Sequence, residues 1–158
     1  MTRWMLYTTT LGFAVYWASN LILWFPWSYS SRLGMILMFT ISPILWAYTT
    51  FLCLKTYPSM SLIKGAVIVS LILLLIAVMM DYIFFGLIRK AIEQLYHPTT
   101  FYGYGFLISL PFIIAFLFKK RITRHKKIPT NIDFIRAGAS GVVCLGVLTL
   151  IIVFKIEI

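Results

Sequence analysis

Acidic residues are the rarest charged type in this chain: four Asp and Glu among 158 residues, at positions 81, 93, 133 and 157. Spread so widely, they supply neither a carboxylate pair for general acid–base work nor a metal-binding cluster. Histidine is scarcer still, at 97 and 125, both in stretches that connect apolar runs. No intramembrane histidine pair is therefore on hand to ligate haem. Serines inside the apolar runs have no His or Lys within the membrane to act as their base. Cys53 and Cys144 fall in separate runs without CxxC spacing and read as small buried hydrophobes. The residues argue against an enzyme, and no cofactor or metal is expected.

What remains is apolar. Hydrophobic residues make up 61% of the chain, aromatics 17% and charged residues only 11%, against a soluble-domain average of about 25% charged. A spanning helix needs about 20 apolar residues, and five stretches qualify or nearly so: 4–26, 33–54, 65–87, 101–118 and 134–154. The longest gap, 119–133, is too short for a folded soluble domain. The expected fold is all-α, a polytopic transmembrane bundle of five spans occupying 1–158 as a single domain.

The net charge of +10 could point to nucleic acid, but its placement points to topology. Lys119, Lys120, Arg121, Arg124, Lys126 and Lys127 crowd one loop, with Arg136 just beyond. That loop lacks a folded scaffold and interleaved aromatics, so nucleic acid is not an expected partner. The positive-inside rule makes it cytoplasmic. Alternation then brings Arg3, Lys55 and Lys64 to the same side, ten of the fourteen basic residues in all, giving an N-in, C-out orientation. The same loop is suited to anionic lipid headgroups or a cytoplasmic partner. The first span is too long for a signal peptide and ends in Trp24-Phe25-Pro26-Trp27 rather than at a small-residue cleavage site.

Polar residues inside the spans are few. Asp81 lies near the end of the run from 65 to 88, where an ionisable group costs roughly 2.5–3.5 kcal/mol on insertion scales and so meets a partner or a wet cavity. Asn20, deep in span one, stands about 24 Å from the cytoplasmic start of its span, as does Asp81. Thr40, Ser42 and Pro43 in span two, and Ser109 and Pro111 in span four, enter from the outer side. Each proline frees a carbonyl one turn earlier, at Phe39 and Leu107. Asn20, Thr40, Ser42, Asp81, Tyr104 and Ser109 are thus expected to form one polar layer in the outer half of the membrane. For Asp81 three readings compete: a structural hydrogen bond to Asn20, Tyr104 or a hydroxyl, a proton or cation site in an outward-facing cavity, and snorkelling to the outer interface two or three turns away. Ile41-Ser42-Pro43-Ile44 and Ser109-Leu110-Pro111-Phe112 also suggest a short internal repeat of the kind that flanks transporter sites.

Around these lie features with plainer explanations. Trp4, Tyr7, Trp17, Trp24 and Trp27 line span one, and those near its ends fit an interfacial aromatic belt. Residues 87–97 show helical periodicity and read as an interfacial amphipathic helix, with Glu93 able to pair with Arg89. Arg89, Glu93 and His97 form an external polar group within reach of Asp81. Thr99 or Thr100 can cap span four, and Thr130 to Asp133 can cap span five. Ala137, Gly138 and Gly141 allow another backbone to approach closely, first for packing within the bundle, alternatively against a second copy or another membrane protein. Tyr102-Gly103-Tyr104-Gly105 shares letters with a potassium filter but lacks the Thr-Val before it.

Trp17 and Trp24-Phe25-Pro26 closing span one, Lys64-Gly65 opening span three and Met80-Asp81-Tyr82-Ile83 near its end resemble small four-span bacterial membrane proteins without an assigned activity. The resemblance covers the first two-thirds of the chain, leaves the fifth span as an addition, and implies a bacterial cytoplasmic (inner) membrane and a role for Asp81. The expected function is a small transport or permeation-related protein with a proton or cation site at Asp81. The alternative is a non-catalytic accessory subunit of a membrane complex.

Overall fold

The computed structural model describes residues 1–124 and 126–154, with backbone alone for residues 27, 28 and 94. His125 and Glu157, and the side chains of Trp27 and Gln94, lie outside the described residues. Every regular element described is helical: α1 (Thr2–Tyr29), α2 (Ser31–Phe39), α3 (Ile41–Lys55), α4 (Leu62–Asp81), a π-helix (Tyr82–Ile88), a 3-10 turn (Ile92–Tyr96), α5 (Pro98–Leu117), α6 (Lys119–Arg124) and α7 (Asn131–Val153). Four helical stretches are long and apolar enough to cross a membrane: Ser31–Lys55, Leu62–Ile88, Pro98–Leu117 and Asn131–Val153.

The stretch read as span one is helical but falls outside those four, because α1 carries Thr, Trp, Tyr, Ser and Asn among its apolar residues. It is the hub of the bundle, packing on α2, α3, α4 and α7. Thr8, Tyr16, Trp17 and Ser19 are buried there; a helix surrounded by protein can carry polar atoms that a lipid-facing one cannot. This corrects the belt expectation for Trp4 and Tyr7, the rings near the start of the span. Trp4, Tyr7 and Trp17 turn inward, and Trp4 Nε1 donates to the Cys53 carbonyl at 2.8 Å.

Two departures from regular α-helix border one region, where a third helix carries a proline without breaking. Span two breaks at Thr40, between α2 and α3, where the ring of Pro43 crowds the carbonyl of Phe39 four residues back. Span three changes to π-helix directly after Asp81, a rare form frequently found at functional sites. Span four carries Pro111 within α5. The expected helix over 87–97 is not continuous: Lys90 adopts φ 53° and the chain resumes as a 3-10 turn, so Arg89 and Glu93 do not share a helical face. The cap of α5 is also reassigned. His97 Nδ1, rather than Thr99 or Thr100, accepts the first backbone N–H, from Thr99 at 3.4 Å, and Pro98 opens the helix.

One end of the bundle gathers the basic residues. Arg3 donates to Asn131 Oδ1 at 2.7 Å, the Lys127 backbone N–H donates to the Lys55 carbonyl at 3.3 Å, and Lys126 Nζ donates to the Ser59 carbonyl. Lys119, Lys120, Arg121 and Arg124 sit on α6, exposed and anchored by the fully buried Ile122. Arg121 lies over the Phe51 ring, 5.8 Å from its centroid.

The α7 cap forms as the residues indicate. Thr130 Oγ1 accepts from Asp133 N, Asp133 Oδ2 accepts from Thr130 N at 2.8 Å, and Lys127 pairs with Asp133 at 3.1 Å. Thr130→Ala is expected to lower stability by about 1 kcal/mol, measured by unfolding in mixed micelles, with Thr123→Ala as a nearly neutral control. Close packing follows in the next turns. Ala137 is buried, and a Cβ on Gly141 would stand 2.7 Å from the Phe13 ring and 3.0 Å from the Ala14 Cα.

Candidate functional site

Asp81 ends α4 with its carboxylate turned toward α1 and α5. Tyr16 Oη donates to Oδ1 at 2.6 Å and Tyr104 Oη donates to Oδ2 at 2.7 Å. Hydrogen bonds from a hydroxyl to an ionised carboxylate fall in this short range and are about twice as strong as neutral ones. Asn20, one turn after Tyr16, donates through Nδ2 to the Tyr16 carbonyl at 3.1 Å. Two phenols from two helices thus hold the acid.

The carboxylate lines a cavity of about 420 Å³. Residues of α1 to α5 and the π-helix contribute, among them Asn20, Ser42, Asp81 and Tyr104 from the expected polar layer. Phe39 and Leu107, whose carbonyls the two prolines free, line it too. The cavity therefore sits where the broken span two, the π-helix and the proline-bearing α5 meet, which is where irregular backbone is tolerated in a membrane bundle. Its lining includes Thr99 and Thr100 at the start of α5, away from the basic end.

Two members of the expected layer are elsewhere. Ser109 is exposed and donates to the Gly105 carbonyl, at 3.0 Å, and to that of Phe106. Thr40 is exposed and donates to the Ile36 carbonyl at 2.6 Å. Each hydroxyl is satisfied within its own helix, as hydroxyls in apolar helices commonly are. Pro43 lines the cavity and Pro111 is fully buried, so the two Ser/Pro stretches are not placed equivalently.

The residues of the external group have these surroundings. Arg89 lies over the rings of Trp24, Phe84 and Phe85, at 5.4, 5.9 and 5.8 Å from their centroids. His97 caps α5, and Glu93 is exposed on the 3-10 turn. Gly138 and Gly141 face α1, with Thr10 beside Gly138 at 3.8 Å from its would-be Cβ. Among the described residues no group of three or more His, Cys, Asp or Glu could hold a metal ion.

Residue patterns alone passed over Tyr16, Ser19 and Trp46, and pointed to Thr99 only as a helix cap. Tyr16 left a usable trace: it stands in mid-helix, where an interfacial anchor has no place, and one turn before Asn20. Ser19 is buried at the cavity wall, its Oγ enclosed and without a hydrogen bond, as are the hydroxyls of Thr8 and Thr50.

No family model, curated protein or solved structure matches the chain. Function has to be read from this geometry.

Proposed function

We propose that this is a five-span inner-membrane protein of transport or permeation type, N-terminus in the cytoplasm, with a proton or cation site at Asp81. The observation that carries the reading is the carboxylate between Tyr16 and Tyr104 on the wall of a cavity made by irregular helices. Counting α1 as a span is supported by its central packing against the membrane-length helices. The orientation is supported by the charge bias, since the end holding Arg3, Lys55 and the loop from Lys119 to Lys127 belongs on the cytoplasmic, anionic-lipid side. The glycine face of α7, which an accessory subunit would use for a partner, is occupied by α1 of the same chain.

The test is ion and proton flux into liposomes across pH 5–8, wild type against Asp81→Asn at equal insertion. The expected result is wild-type flux that falls at least tenfold in the variant. Absence of flux from both proteins would overturn the transport reading and turn attention to co-purifying subunits.

A further inference from the structure

The ligand class of the cavity can be narrowed, granting the proposed reading of Asp81 as a cation site. The described lining residues include one acid, Asp81, and no Lys, Arg or His. An anion would meet uncompensated negative charge there. A small inorganic cation is poorly served as well. Hard cations take six or more oxygen ligands, whereas both oxygens of Asp81 already receive phenols and most of the wall is carbon. That wall is aromatic: Phe39, Trp46, Phe85 and Tyr102 line the cavity together with Tyr16 and Tyr104. Ring faces attract a poorly hydrated cation placed over them. The volume of about 420 Å³ falls within the usual range for small-molecule sites, roughly 300–1,000 Å³.

We infer that the cavity binds an organic cation, an ammonium head beside Asp81 with its apolar body against the aromatic wall. The head would be held by the charge of Asp81 and by the ring faces.

The test uses equilibrium dialysis of tritiated benzyltrimethylammonium with the protein in phosphatidylcholine nanodiscs, whose zwitterionic lipid does not recruit cations. The expected result is saturable binding that weakens at least tenfold in Asp81→Asn and resists competition by neopentylbenzene, the neutral carbon isostere of the probe. Equal competition by neopentylbenzene on wild-type protein would overturn the inference without reliance on any variant. So would unchanged binding in Asp81→Asn, or no saturable binding to wild type. Displacement by Na⁺ or K⁺ at equal concentration would overturn the organic class while leaving Asp81 as a cation site. Because the assay needs no transport, binding without liposome flux would sustain this inference and sink only the transport reading.

Discussion

Gly141→Leu is expected to leave little correctly folded protein, with a stability loss at or above about 3 kcal/mol, the upper end of the overpacking range. The reason is geometric. Even a bare Cβ at this position meets the Phe13 ring at 2.7 Å and the Ala14 Cα at 3.0 Å. The ring could swing aside at some cost, but the Cα belongs to the backbone of α1 and moves only with the helix. A leucine would therefore push α7 off α1, and α7 packs chiefly on that helix. Two companions give the contrast. Gly138→Ala meets only Thr10 Cγ2 at 3.8 Å, and Gly146 has nothing within 4 Å of a built Cβ, so Gly138→Ala and Gly146→Leu are expected to stay within about 0.5 kcal/mol of wild type. Monodispersity after solubilisation and unfolding in mixed micelles measure all three; a Gly141→Leu protein as stable as the controls would disprove the packing account.

The second large effect concerns the acid itself. Asp81→Leu fits the apolar surroundings by size but strands two phenol hydroxyls, those of Tyr16 and Tyr104. An unpaired buried donor costs about 1–3 kcal/mol; Tyr16 is buried whereas Tyr104 is half-buried on the cavity wall, so the expected loss is about 1–3 kcal/mol, carried chiefly by Tyr16. Asp81→Asn keeps the shape and one carbonyl acceptor and should lose less than half of that. Restoring consistency should restore stability: in a Tyr16→Phe, Tyr104→Phe background, Asp81→Leu removes no remaining partner and is expected to cost little. The coupling read from this cycle isolates the phenol–carboxylate interaction. Additive costs across the cycle would show that the two tyrosines do not hold the acid.

Some of this site was legible in the residues and some was not, for physical reasons. Asp81 stands out because a carboxyl within a long apolar run demands a partner wherever the run folds. Tyr104 and Asn20 could be weighed because helix rise alone sets their height. Ser109 could not be separated from Ser42 in this way. Both precede a proline in an apolar helix, and only rotation about the helix axis decides that Ser42 meets the cavity while Ser109 bonds to its own turn. Tyr16 was obscured by its company, since four tryptophans and a tyrosine along the same helix suggest anchoring, whereas three of the four of those rings that are described are buried in the core. The π-helix after Asp81 has no signature in Tyr82 to Gly86, whose composition suits an ordinary α-helix. The break at Thr40, by contrast, follows from Pro43 and the sterics of the residue four places before it.

The contact between α1 and α7 also orders events in time. Arg3 and its partner Asn131 are 128 residues apart, so at ordinary elongation rates α1 waits on the order of ten seconds for the helix that covers it. During that interval Thr10, Phe13 and Ala14 present an open groove shaped for small residues. A nascent chain of this protein thus carries, from its first helix onward, a face that only its own later segment α7 covers.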